Sequence, residues 1–202
     1  MTVLELNGVR LRPLVRTDYE ALWGLYSPDV FFFMLNKVET KEKFDSWLES
    51  GVLAMETGDS CLAFAVTDGQ TGEMMGTTRI FGIDPFNRLC EIGSTFYGEA
   101  YQRTHVNTTA KYLLLRHCFE ELGMIRVQFK TDSENIRSKQ AIARLGAKLE
   151  GVLRNERIRS TGKPRDVHLY SIIDREWPAV KKHLEELIRR GGGNSRPKRR
   201  VE

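Results

Sequence analysis

Cysteine is scarce in this sequence: Cys61, Cys90 and Cys118 are three in 202 residues, widely spaced and odd in number. Such a set frames no disulfide scaffold and lacks zinc-ligand spacing, so all three read as small buried hydrophobes in a reducing compartment. The four histidines, His105, His117, His168 and His183, show no ligand spacing either, and no metal is expected. No apolar run approaches the roughly 18 residues that a membrane span requires. The opening Met-Thr-Val-Leu-Glu-Leu has no basic segment followed by an apolar stretch, so a cytoplasmic chain without a secretory signal is expected. Internal repeats are missing as well. Most of the chain also lacks an excess of positive charge. The total is +4, yet residues 189–202 alone contribute +5 (Arg189, Arg190, Arg196, Lys198, Arg199 and Arg200 against Glu202), leaving the first 188 residues at −1. A near-neutral body argues against nucleic-acid binding on a folded face. The basic run reads as a solvated end, with contact to an acidic partner as the other reading.

The length suits one domain with a substantial core, and the charged and apolar fractions are ordinary for a globular chain. Val9–Val15 is the first strand, with Pro13 marking its end or an edge. Thr17-x-x-Glu20 has the form of a capping box, predicting a helix from Asp18 to about Tyr26 that Ser27-Pro28-Asp29 breaks. Phe31, Phe32, Phe33, Met34 and Leu35 form an apolar cluster without clear period, a core element or a pocket wall. Thr40 caps a helix to about Glu56 that buries Phe44, Trp47, Leu48 and Leu53. Cys61–Val66 and Glu73–Phe81 form a hairpin about Asp68-Gly69-Gln70-Thr71-Gly72, and Asp84-Pro85-Phe86-Asn87 turns the chain into the next strand.

That strand, Glu91–Tyr97, leads through Gly98–Asn107 into a run with Ala110, Leu113, Leu114, Cys118 and Leu122 at helical spacing, stopped by Gly123. A polar loop between a strand and a helix start exposes unpaired N–H groups where the helix dipole adds positive charge, which suits a phosphate. Val127–Thr131 is then a strand. A helix from Asp132 or Ser133 runs through Leu145 to Gly146. Strands near Lys148–Ile158 and Asp166–Ile173 are joined by Ser160-Thr161-Gly162-Lys163-Pro164. Asp174 caps a last helix to about Arg190, where domain 1–190 gives way to a flexible tail, 191–202. The layout is α+β in a single domain, with a mixed, mostly antiparallel sheet flanked by helices on both faces.

Two motifs carry a resemblance. Gln102-Arg103-Thr104-His105-Val106-Asn107-Thr108 resembles the pyrophosphate loop of the GNAT acetyltransferases, Gln/Arg-x-x-Gly-x-Gly/Ala, with His105 and Asn107 at the small-residue positions. A RimJ/RimL-like branch of that superfamily carries a similar Gln-Arg-Thr-x-Val-Asn-Thr string. Asn135-Ile136-Arg137-Ser138, then Leu145-Gly146 and Glu150-Gly151-Val152-Leu153-Arg154, is similar to the same branch's Asn-x-x-Ser…Leu-Gly…Glu-Gly-x-Leu-Arg pattern. The likeness spans residues 10 to about 175 and follows the GNAT order of elements throughout.

The resemblance implies acetyl-CoA as co-substrate and a primary amine as acceptor, with direct attack in a ternary complex. It implies backbone N–H groups near Thr95, Phe96 and Tyr97 as partners of the acetyl carbonyl, and the 102–108 loop as the pyrophosphate cradle. Asn135, Ser138 and Ile142 share one helix stripe by their spacing. In the family the Asn contacts the pantetheine and a hydroxyl at the Ser position is suggested to protonate the leaving thiolate; the tyrosine many members use for that stands here as Ile142. The other reading of the same spacing makes Asn135 a helix cap and Ser138 a packing residue. Glu91 is the first choice of base, matching a frequent family Glu, with an ion-paired surface carboxylate as the other reading. A second family Glu position falls on Arg157, beside Glu156.

The expected acceptor is a protein or peptide N-terminal α-amine. A small amine or antibiotic is the alternative, and a non-catalytic acyl-CoA-binding or partner module is the alternative of another class. A homodimer is left open.

Overall fold

The computed structural model describes residues 2–34, 38–159 and 161–191. The basic run from residue 192, Leu35 of the apolar cluster and Ser160 of the expected turn lie outside them. Eight strands make one sheet: β1 (Leu4–Leu6), β2 (Val9–Pro13), β3 (Cys61–Asp68), β4 (Met74–Asp84), β5 (Leu89–Tyr97), β6 (Arg126–Asp132), β7 (Lys148–Ile158) and β8 (Pro164–Ile173). Their spatial order is β1-β2-β3-β4-β5-β6-β8-β7. Every neighbouring pair but one is antiparallel. The exception is the β5–β6 pair, which a long helical crossover makes parallel. The expected α+β class and mixed sheet are found.

Local chemistry explains the turns. Asn7 (φ +47°) and Gly8 (φ +76°) both sit in the left-handed region that a two-residue hairpin needs, adding β1, a strand absent from the sequence reading. Asp68 Oδ1 accepts from the N–H groups of Gln70 and Thr71, and Asp84 Oδ1 from that of Asn87.

Helices α1 (Tyr19–Trp23), α2 (Pro28–Phe31) and α3 (Lys41–Glu56) cover one face. Their core is aromatic: Phe31 packs against Tyr26, Phe44, Trp47 and Phe96 with ring centroids 5.3 to 5.7 Å apart. Helices α4 (His105–Arg116), α5 (Ile136–Arg144) and α6 (Trp177–Gly191) cover the other face, over Cys90, Ile92, Val127, Phe129 and Ile172. No described helix is long and apolar enough to cross a membrane.

Several boundaries differ from the sequence reading. β2 stops at Pro13, which has no N–H to continue a ladder. The Thr17–Glu20 box does not form: Asp18 Oδ2 reaches back to Val15 N at 3.0 Å, opening a 3₁₀ turn before α1. Pro28 starts α2 instead of ending the order there. On α3, Thr40 caps as expected, but Leu53 is 47 % exposed and Gly51 and Val52 take the buried stripe. α5 begins only at Ile136, because Asn135 is its cap. α6 runs through Gly191. Of the apolar cluster, Phe31 is core while Phe32 is exposed. Cys90 and Cys118 are buried, Cys61 only partly.

Candidate active site

The sheet is split where its two parallel strands meet. β5 and β6 pair only at Leu89, Cys90 and Glu91 against Arg126, Val127 and Gln128, although β5 continues to Tyr97 and β6 to Asp132. Past Glu91, β5 keeps β4 on one side and has no strand on the other, so a wedge opens with backbone groups along its edge. A bulge sits inside that stretch. Arg79 pairs with Gly93 and Thr77 with Phe96, so Ser94 and Thr95 together oppose Thr78 alone. Ser94 takes up the extra residue at φ +46°. Phe96 then packs toward α3 and Tyr97 toward α4.

The end of β5 leads into the loop that starts α4. Gln102 Nε2 donates to Tyr97 O at 2.9 Å, and Gln102 Oε1 accepts from Arg137 of α5, so this side chain ties the two lips of the wedge. Arg103 holds φ +59°. Thr104 is the cap, its hydroxyl donating to Tyr101 O and accepting from Val106 N at 3.2 Å. Thr108 N belongs to the helix ladder and Val106 N to the cap, which leaves the N–H groups of His105 and Asn107 at the first turn for an anion. His105 Nδ1 is buried without a partner among the described residues. A cleft of about 160 Å³ lies against this turn, lined by Arg103, Thr104, His105, Thr108, Arg144 and the end of α6 at Leu187, Ile188 and Gly191. Arg103 stands in the loop that the sequence singles out, whereas Arg137 and Arg144 carry no role from the sequence; the fold gathers all three about one helix end.

On α5, Asn135 Oδ1 accepts from Ser138 N at 3.0 Å, so the cap reading of Asn135 holds. Its amide nitrogen stays available. The Ser138 hydroxyl has no protein partner among the described residues, and Ile142 is buried beneath it in the core. Asn135 and Ser138 are both half-buried.

Glu91 stands at the floor of the wedge. Its Oε2 accepts from Gln128 Nε2 at 2.9 Å and lies 3.6 Å from Lys130 Nζ, which is also 3.7 Å from Glu156 Oε1. Burial raises the Glu91 pKa above the usual carboxylate range, and Lys130 and Gln128 offset part of that rise. Glu91 therefore meets β6 and β7, while Ser138 belongs to the α5 side; no bond joins the two. Gln128 and Lys130 alternate with buried Val127 and Phe129, a period-2 pattern that the sequence displays. Glu156, beside the Arg157 position, is the carboxylate that reaches this cluster.

On the α3 side a cleft of about 540 Å³ reaches Ser94 of the bulge and is lined in part by Asp59, Cys61, Arg79 and Phe81. On the α4 side Lys111 is buried and donates to Thr95 Oγ1 at 2.7 Å and Thr78 Oγ1 at 3.1 Å. Its place in the sequence, three and seven residues before Leu114 and Cys118 on the core stripe, was the available signal for it.

Residues 9–148 match the family model described as an acetyltransferase (GNAT) domain. Among curated proteins, the uncharacterized N-acetyltransferase YoaA of Bacillus subtilis is 24% identical over 173 residues, covering 85% of this chain and 96% of its own. Among solved structures, a GCN5-related N-acetyltransferase from Brucella melitensis superposes with TM-score 0.83 at 29% identity, over 93% of this chain and 85% of that one. Mycobacterium smegmatis RimJ in complex with CoA-disulfide shares the fold, with TM-score 0.76 at 21% identity over 92% and 93% of the two chains.

Proposed function

The chain belongs to the GNAT acetyltransferases, and from that premise we propose that it moves an acetyl group from acetyl-CoA to a primary amine, preferentially a protein or peptide N-terminal α-amine. The observation that carries this reading is the wedge beyond the Glu91–Gln128 rung, running past the Ser94 bulge to the first turn of α4. It is open, partly apolar and edged by backbone donors. Its far end offers two unpaired N–H groups, a helix dipole and arginines, which is the donor set a diphosphate needs.

Acetyl-CoA, when bound, supplies the thioester on which the amine acts. The roles of the protein's groups follow from their places. His105 and Asn107 N–H hold the pyrophosphate, with Arg103, Thr104, Val106 and Thr108 shaping the turn. Gln102 braces the wedge. Asn135 and Ile142 line the pantetheine arm. Backbone N–H groups on the open edge of β5, at Thr95 and Tyr97 on either side of the β4-paired Phe96, stabilise the developing oxyanion. Glu91 accepts the amine proton, directly or through water, and its raised pKa makes it a better base than an exposed carboxylate. Ser138 stands ready to protonate the thiolate.

The acceptor preference rests on proton affinity. An α-amine ionises near pH 8 and a lysine near 10.4, so about 3 kcal/mol more is needed to free the lysine amine at neutral pH. A carboxylate base favours the easier amine. The test is calorimetric titration with acetyl-CoA, followed by a panel of N-terminal peptides, lysine peptides and small amines with a thiol-release readout. Acetyl-CoA binding with fastest turnover on N-terminal peptides is expected. Binding without thiol release on any amine would overturn the catalytic reading.

A further inference from the structure

Among the described residues, no carboxylate meets Lys111. From β4 it faces Thr78 and from β5 Thr95, and the two hydroxyl oxygens are themselves 2.7 Å apart. Thr95 Oγ1 also donates to Gly93 O at 3.1 Å, across Ser94. The three side chains thus close on the bulge: Thr95 lies in it, Thr78 opposes it, and the Gly93 carbonyl is its near end. Charged groups on the neighbouring strand positions turn to the other face, Arg79 to Trp47 O and Glu91 to Gln128 and Lys130. On α4 the residues three and four away are Asn107, Thr108, Leu114 and Leu115, all uncharged. The titratable groups sharing this core are the thiols of Cys90 and Cys118, 3.6 Å from each other, the buried Tyr97 hydroxyl, Tyr170, and Tyr101, which donates to Glu73. Tyr112 is turned to Glu185 of α6.

We propose that Lys111 is a positioning residue for the acetyl thioester: through Thr95 and Thr78 it fixes the β5 bulge whose N–H groups meet the thioester carbonyl, and its protonation loosens that fix. The inference rests on the acetyl-transfer reading above and deepens it. The donor arithmetic gives the direction. A neutral amine has two N–H groups for two hydroxyl oxygens. An ammonium has three donors and a charge, with no anion beside it, so the protonated form favours opening of the buried layer. Burial brings the Lys111 pKa down to about 7, which places the change in a physiological range.

The readout is the preference for acetyl-CoA over CoA, measured by calorimetry without any amine between pH 5.5 and 7.5, where the CoA thiol, near 8.5, stays protonated. In the wild-type protein that preference is expected to rise about three- to tenfold with pH, the worth of one carbonyl hydrogen bond, with its midpoint near 7. Lys111→Met should remove the pH dependence, Thr95→Val should lower the preference to the acid level at every pH, and Thr95→Ser should restore it. A Lys111→Met protein that keeps the wild-type pH profile overturns the proposal. So does Thr95→Val with wild-type preference, and that pair decides the matter if Lys111→Met does not fold. Binding of both ligands with a preference indifferent to pH and to these changes sinks the Lys111 role alone, whereas binding of neither ligand sinks the acetyl-transfer reading with it.

Discussion

Glu91 and Gln128 face each other across the last paired rung of β5 and β6, and Gln128 Nε2 donates to Glu91 Oε2 at 2.9 Å. The carboxylate is thereby pinned where the strands part, with one oxygen still free of side-chain donors. Glu91→Gln keeps the shape and removes the base. Turnover should fall by about 10²–10⁴ with acetyl-CoA affinity preserved. The residual rate should climb with pH toward the amine's own pKa, near 8 for an α-amine. Steady-state rates from pH 6 to 9 check this, and a wild-type profile would leave positioning alone as the mechanism.

His105 is the first residue of α4, and Thr104 before it is extended at φ −105°, ψ −175°. Proline is tolerated at that helical position and wants an extended residue before it. His105→Pro therefore deletes one N–H from the first turn with little strain, whereas proline at Val106 would instead break the Thr104 cap. Hydrogen bonds to charged groups are worth about 1.5–3 kcal/mol. His105→Pro should weaken acetyl-CoA binding about tenfold or more relative to His105→Ala, the control for the lost imidazole. Equal affinities in calorimetry would move the diphosphate elsewhere.

The outline of the fold was legible because its signals are local. Hydrophobic period, glycine stops and the turns at Asp68-Gly69 and Asp84-Pro85 place most strands and helices within a few residues. The Asn7-Gly8 hairpin carries an equally local signal. The site divided differently. Gln102, Asn135 and Glu91 could be named from motif positions, but their partners are set by packing at a distance: Arg137 on Gln102, Lys130 and Glu156 about Glu91. The bulge at Ser94 depends on a register between β4 and β5 that no spacing in one strand reveals. Thr17 looked like a cap by pattern, yet Asp18, held by Arg12 at 2.6 Å, reached the Val15 N–H instead. Tertiary partners overrode a local preference there.

The end of α6 belongs to the body more closely than its composition suggests. Leu187, Ile188 and Gly191 line the cleft at the start of α4, and a β-carbon on Gly191 would sit 3.7 Å from that of His105. Where the chain is cut therefore matters. Removal of residues 192–202 should leave the thermal midpoint nearly unchanged, because the lost segment begins with Gly192, Gly193 and Asn194. Removal from residue 187 onward should lower both the midpoint and acetyl-CoA affinity. Differential scanning calorimetry with and without acetyl-CoA separates the two cuts. A large loss from the shorter deletion would show that the basic run docks on the body.

Lys111 makes stability depend on pH, and the direction follows from its two protonation states. Unfolded, the amine holds its proton to about pH 10.4; folded, burial releases that proton near 7. Between those values the unfolded chain binds more protons, so stability rises with pH from about 7 to about 10 and loses this dependence below 7. The span corresponds to a contribution on the order of 5 kcal/mol, present as a penalty at neutral and acid pH and relieved in alkali. Lys111→Met retains the length of the side chain and removes the charge. It should raise the thermal midpoint at pH 6.5 and narrow its advantage at pH 9.5, even as it disturbs the bulge through the lost bonds to Thr78 and Thr95. Those bonds are worth about 1 kcal/mol each, less than the desolvation of the ammonium, so the net effect at pH 6.5 is stabilising. Thermal unfolding of both proteins at the two pH values decides it. A wild-type protein and a Lys111→Met variant with parallel pH dependence would mean that the amine is not desolvated as its burial requires.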